Sequence, residues 1–243
     1  MSQFPTHYTG IPAVTRQQME EVDRRMINHY GIELLQMMEN AGRCLATVAR
    51  AHFLRGNVAG RSVVVLAGTG GNGGGALAAA RRLKTWGANV RVVLSKPAPE
   101  HTGATAHQIN ILQQMGIITV LEPVSGSELL IDGLLGYSLQ GKPKGRIAEL
   151  IEWTNRQITP VLSLDLPSGL DPDKGMLHIP SIRASATMTL ALPKVGLLSN
   201  SARPMVGELF LADISVPPTM YNTPGLPFEV GHIFADGDII KIR

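Results

Sequence analysis

Apolar residues along this chain switch repeatedly between helical and strand spacing. Met19, Val22 and Met26 recur at helical intervals after Thr15, which stands where an N-cap belongs before Arg16-Gln17-Gln18. After the Tyr30-Gly31 break a second helix is predicted from about Ile32 to Leu54, carrying Leu34, Leu35, Met37, Met38, Leu45 and Val48 as core or interface residues. Val63-Val64-Val65-Leu66 then reads as a buried strand, Gly68 to Gly75 as a tight turn, and Gly74 to Trp86 as a helix. Further strands are expected at 90–94, 117–121, 129–132 and 160–165, separated by helices at 105–115 and 146–155. Three more follow at 187–192, 207–214 and 238–242, with a Pro-rich loop at 217–227. Strands alternating with helices predict the α/β class: a Rossmann-like three-layer αβα sandwich with a mostly parallel, doubly wound sheet and an N-terminal helical pair. One domain over 1–243 is expected, its ligand site at the carboxyl ends of the strands.

Three strands end in polar or glycine-rich segments that such a sheet brings to one edge: Gly68 to Gly75, Asp132 to Gly136, and Asp165 to Asp171. Gly68, Gly70 and Gly73 satisfy GxGxxG, where backbone can approach a ligand and a helix N-terminus attracts phosphate. Asn72, Asp132 and Asp165 each have a bland role as helix caps. Converging with Ser168, they also offer hard oxygen ligands for a cation or a carboxyl group for proton transfer. Where a dinucleotide site places an acidic residue after the second strand, this chain reads Ser95-Lys96-Pro97. The histidines at 7, 29, 52, 101, 107, 178 and 232 lack ligand spacing, and Ser168 lacks the Gly-x-Ser-x-Gly turn of a hydrolase nucleophile.

Composition narrows the classes. Charged residues make up 17% of the 243 and hydrophobic ones 44%, with no apolar run near the ~20 residues of a membrane-spanning helix. Residues 1–15 hold no apolar core of signal-peptide type, so a soluble cytoplasmic protein is expected. The single cysteine, Cys44, excludes an internal disulfide and a cysteine zinc site. A net charge of +3 spread along the chain argues against nucleic acid as partner. The methionine-bearing N-terminal helices are the expected face of a homodimer.

Several motifs in order resemble the NAD(P)HX epimerases, the YjeF N-terminal domain family. They are Gln18-Met19 to Arg25, Met38-Glu39-Asn40-Ala41-Gly42, the glycine loop, Asp132 to Gly136, Asp165 to Asp171, Leu190-Ala191-Leu192-Pro193-Lys194-Val195-Gly196-Leu197 and Gly207 to Ile214. The resemblance implies a repair enzyme interconverting the R and S epimers of hydrated NADH and NADPH, with a separate dehydratase as partner. It implies a potassium ion on Asn72, Asp132 and Ser168. Substrate contacts map onto Gly71, Asn72, Gly73, Gly74 and Gly75, onto Gly136, Tyr137, Ser138, Leu139, Gln140, Gly141 and Lys142, and onto Asp165. Asp165 is the candidate acid and base.

The chain departs from the family pattern in two places. Its G-x-G-N-N-G-G-D-G loop has Gly71 for the first Asn and Gly75 for the Asp, and Tyr137 replaces the Thr of G-T-G. A catalytically altered or silent domain that binds another nucleotide-like ligand or a protein partner is therefore the alternative reading, and an ordinary dehydrogenase ranks last.

Overall fold

The computed structural model describes residues 4–6, 10–139 and 141–243. Helix α1 (Arg16–Asn28) opens with a capping box: the Gln18 N–H donates to the Thr15 hydroxyl at 3.3 Å, and the Thr15 N–H donates to Gln18 Oε1 at 2.9 Å. Helix α2 (Leu34–Val48) starts the same way, the Glu33 N–H donating to Gln36 Oε1 at 2.7 Å. The second predicted helix is right in extent, but its last turn, 49–53, widens to π geometry. That widened turn carries His52, which stands edge-on to Phe210 at 5.3 Å.

Beyond it the chain alternates as its pattern predicts. Strand β1 (Ser62–Ala67) leads into α3 (Gly71–Thr85), β2 (Asn89–Leu94), α4 (Gly103–Gln114), β3 (Ile118–Val120), β4 (Leu129–Gly133), α5 (Gly145–Asn155) and β5 (Val161–Leu164). Strand β6 (Ala186–Leu190), a one-turn helix α6 (Arg203–Val206) and β7 (Glu208–Ala212) follow. The expected Pro-rich loop contains a small antiparallel hairpin, β8 (Asn222–Thr223) with β9 (Leu226–Pro227), and β10 (Ile239–Lys241) comes last.

Eight strands form one sheet in the order β10-β7-β6-β5-β4-β1-β2-β3, all parallel except β10 against β7. This is the doubly wound, Rossmann-like arrangement. Chain order reverses between β1 and β4, so the loops leaving those two strands diverge and open a crevice at their carboxyl ends. Register then decides which side chains meet there: Leu66 lies beside Asp132, and Asp132 beside Ser163.

Strands β4 and β5 are buried throughout, which explains their unbroken apolar runs. The larger core lies between the sheet and α1 to α4, with Met26, Leu45, Leu77, Leu83 and Leu112 fully buried. Cys44 belongs to it; burial pushes its thiol up to about 12 and leaves it a small apolar residue. Among the described residues no helix is long and apolar enough to cross a membrane.

Candidate functional site

A cavity of about 570 Å³ occupies the crevice. Its polar wall comes from the strand ends: Gly70, Gly71 and Asn72 after β1, Ser95 and Lys96 after β2, Gly136 to Ser138 after β4, and Asp165 after β5. Its apolar wall comes from α1 and α2, where Met19, Met37 and Met38 turn inward. Those methionines, expected in the core or at a subunit interface, thus line the ligand space.

The glycine loop turns on close backbone approach. A Cβ at Gly73 would fall 2.0 Å from the Gly68 carbonyl oxygen, so β1 can pass directly into α3 only with glycine there. Helix α3 consequently begins at Gly71, one turn earlier than its apolar pattern indicates, with Gly71 and Asn72 at its open end. Gly73, Gly74 and Gly75 lie buried behind the cavity wall. At Gly75 the space is already filled: an added Cβ would sit 2.9 Å from Leu164 Cδ2 and 3.6 Å from Ala41 Cβ. A side chain at position 75 would therefore press on the end of Leu164.

Asp165 follows β5 with φ 64°, a left-handed conformation that aspartate tolerates better than most residues. The turn carries its side chain into the cavity wall while leaving it only 3% exposed. Lys194, fully buried and also on the wall, donates its ammonium to Asp165 Oδ1 and to the Leu190 carbonyl at 3.0 Å. Thr189 and the Leu190 N–H reach the same Oδ1 at 3.3 Å. One carboxylate oxygen is thus held fast, and hydrogen bonds to Oδ2 are absent among the described residues.

Lys194 also lies 5.9 Å from the centre of the Tyr137 ring, whose hydroxyl donates to Asp23 on α1. Burial raises the Asp23 carboxyl above its ordinary range, opposed by the Tyr137 hydrogen bond. Asp23 and Lys194 were not singled out from the sequence as site residues. Each carries a signal: Asp23 falls on the Met19 and Met26 face of an amphipathic helix, and Lys194 interrupts an apolar run.

Beneath the wall, Asp132 is fully buried and held by four donors. The Ser168 hydroxyl donates to its Oδ1 at 2.6 Å, and the Ser168 N–H to Oδ2 at 2.9 Å. Ser163 donates to Oδ2 at 2.8 Å and the Leu134 N–H to Oδ1 at 3.2 Å. The Ser168 hydroxyl in turn accepts from the Leu135 N–H at 2.9 Å. Asn72 donates to the Leu135 and Leu164 carbonyls at 2.8 and 2.9 Å.

Asn72 and Ser168 thus meet at Leu135, and Ser168 joins them to Asp132. Burial raises the Asp132 carboxyl, and among the described residues no Lys, Arg or His pairs with it. Buried negative charge amid carbonyl, hydroxyl and amide oxygens is a donor set suited to a hard cation. Clusters of three His, Cys, Asp or Glu side chains, which would favour a transition metal, are absent among the described residues.

Of the other positions mapped from the sequence, Gly136, Tyr137 and Ser138 border the cavity, whereas Leu139, Gly141 and Lys142 do not. Gln140 and His7 lie outside the described residues.

Comparison with known proteins places these features in context. The family described as YjeF-related protein N-terminus matches residues 34–196, the span that supplies all of the cavity wall except Met19, Asp23 and Ile214. The NAD(P)H-hydrate epimerase of Dehalogenimonas lykanthroporepellens is 40% identical over 232 residues, 92% of each chain. The bifunctional NAD(P)H-hydrate repair enzyme Nnr of Salinibacter ruber is 34% identical over 85% of this chain, which spans only 41% of that longer protein. The crystal structure of yeast ynu0 (YNL200c) superposes with a TM-score of 0.82 at 26% identity, covering 95% of this chain and all of the yeast one.

Proposed function

The chain belongs to the YjeF-related N-terminal family, and from that premise we propose that it is an NAD(P)H-hydrate epimerase, an isomerase interconverting the R and S epimers of hydrated NADH and NADPH. The observation that carries this reading is a match to a named NAD(P)H-hydrate epimerase over nearly the whole of both chains. A nucleotide-sized cavity at the topological switch point supports it.

In the substrate the added hydroxyl sits on a ring carbon next to nitrogen. Protonating that hydroxyl releases water and leaves an iminium-type cation, and water returning to either face gives either epimer. Asp165 is the group we assign to the proton transfers: Oδ1 is held by Lys194, so Oδ2 is free to meet the substrate. The Lys194 ammonium fixes the carboxylate in one orientation, and Met19, Met37 and Met38 exclude bulk water from the ring end. Gly70, Gly71 and the open end of α3 offer backbone N–H groups to the pyrophosphate.

Asn72, Asp132 and Ser168 would hold a potassium ion, which when bound neutralises the buried Asp132 charge and fixes the loops after β1, β4 and β5 electrostatically. A dehydratase that consumes the S epimer would be the partner. A homodimer through α1 and α2 would use Ile27 and Tyr30, which remain exposed, rather than the inward-facing methionines.

The test is the R to S rate of hydrated NADH, coupled to an S-specific dehydratase, with and without the protein. Acceleration lost in Asp165→Asn supports the assignment. A folded protein that produces none refutes it.

A further inference from the structure

The carboxyl end of β2 is built to receive an anion. Ser95 is buried yet borders the cavity, and its N–H donates to the Ala67 carbonyl at 3.0 Å, tying it to the start of the glycine loop. Protein hydrogen bonds to its hydroxyl are absent among the described residues. Lys96 follows on the cavity rim, exposed, with no carboxylate within ion-pair distance among the described residues. His101 bonds the Lys96 carbonyl through Nε2 at 3.2 Å, and Thr105 bonds the Thr69 and Gly70 carbonyls at 3.2 Å, so this turn and the glycine loop are held as one wall.

In a sheet of this order the residue that follows the second strand meets the ribose hydroxyls of a bound dinucleotide. A carboxylate there accepts from the free 2′-hydroxyl, whereas a cation accommodates a 2′-phosphate. This chain presents a hydroxyl and an ammonium there and no carboxylate.

The carboxylates that border the cavity, Asp23 and Asp165, are engaged by Tyr137 and Lys194 and do not neutralise Lys96. Arg146 also borders the cavity, but it is occupied by the Leu121 carbonyl, Glu122 and Glu149, while Lys144 adds a further cation. A phosphomonoester carries about 1.5 to 2 negative charges near neutral pH, which suits a hydroxyl and an ammonium side by side.

We infer that Ser95 and Lys96 form a 2′-phosphate subsite, so that hydrated NADPH is preferred over hydrated NADH. The inference rests on the epimerase reading for its substrate, but the subsite can be tested apart from turnover. Titration calorimetry on the full chain compares adenosine 2′,5′-bisphosphate with AMP, which lacks the second phosphate, and with adenosine 3′,5′-bisphosphate, which carries it elsewhere. Binding of the 2′,5′ compound should be about tenfold tighter than of either control, the scale of one charged hydrogen bond. Lys96→Ala and Ser95→Ala should each shrink that ratio, and the kcat/KM ratio of hydrated NADPH to hydrated NADH should fall in parallel.

Equal affinity for the two bisphosphates, no binding of either, or a ratio untouched by Lys96→Ala overturns the subsite. A preserved 2′ preference in a protein that fails to interconvert the epimers supports the subsite and sinks the epimerase reading instead.

Discussion

The ammonium of Lys194 is bonded to Oδ1 of Asp165 inside the protein, the lysine fully buried and the aspartate 3% exposed. Each charge is tolerated there because the other is present, and removing one partner alone leaves an uncompensated buried charge. Lys194→Met should therefore destabilise the fold by about 3–5 kcal/mol in urea titration. Pairing it with Asp165→Asn should restore most of that stability and none of the activity. Asp165→Asn alone should lower kcat by about 10²–10⁴-fold, the scale of a lost proton-transfer group. A double variant that regained turnover would show that the pair is structural only.

Asp23 supplies a pH signature. Its carboxyl is raised by burial, so over the window above the ordinary value of 3.8 the folded chain keeps a proton that the unfolded chain has lost. The stability this contributes is complete below the ordinary value and disappears as pH rises through the raised one. In sodium buffer Asp23→Asn should lose stability less steeply than the parent as pH rises above the ordinary aspartate value of 3.8. Asp132, raised by the same cause, keeps its own share, so the flattening is partial. Tyr137→Phe, which strips the donor from Asp23, should cost about 1–2 kcal/mol and push the Asp23 carboxyl further up.

Reintroducing a carboxylate at position 75 tests the packing that Leu164 imposes. Gly75→Asp should destabilise by about 3 kcal/mol, because the new side chain meets Leu164 and brings a charge into a buried site. Leu164→Ala makes room for it. The double variant should be more stable than the sum of its single costs, an interaction energy readable from a double-mutant cycle. Strict additivity would place Gly75 and Leu164 out of contact.

The Asp132 cluster predicts a choice among monovalent cations. If potassium seats on Asn72, Asp132 and Ser168, saturating potassium chloride should add about 1–3 kcal/mol over sodium chloride at equal ionic strength. For a chain of this size that is a rise in melting temperature of about 2–4 °C per kcal/mol. Ser168→Ala should abolish the difference. Identical melts in the two salts would argue that Asp132 is a structural hub and no more.

Much of this was legible in the sequence for a simple reason: fully buried parallel strands are unbroken apolar runs, and the polar residue that ends such a run marks the sheet edge. Asp132 and Asp165 were found that way, and register brings their segments together. The partners of those aspartates were harder to see. Lys194 lies 29 residues beyond Asp165 and meets it only after β6 has been laid down, and Asp23 belongs to a helix placed by tertiary packing. Neither contact leaves a local periodicity. The one-turn α6 and the two-residue strands β8 and β9 are too short to show one, and nothing in a triplet such as Ile239-Ile240-Lys241 records that β10 runs antiparallel.

Asn72 bridges the loops after β4 and β5 through two carbonyls, and Lys194 closes the cavity from beyond β6. Synthesis on the ribosome delivers these parts in strict order. The glycine loop emerges before Leu135, Leu164, Lys194 and Ile214, and its surroundings are complete only when the last of these has followed. A dinucleotide therefore has no finished site on the nascent chain until the residues after β7 have been made, and cannot template the folding of the strands before them. The ligand meets only protein whose sheet has already closed over β6.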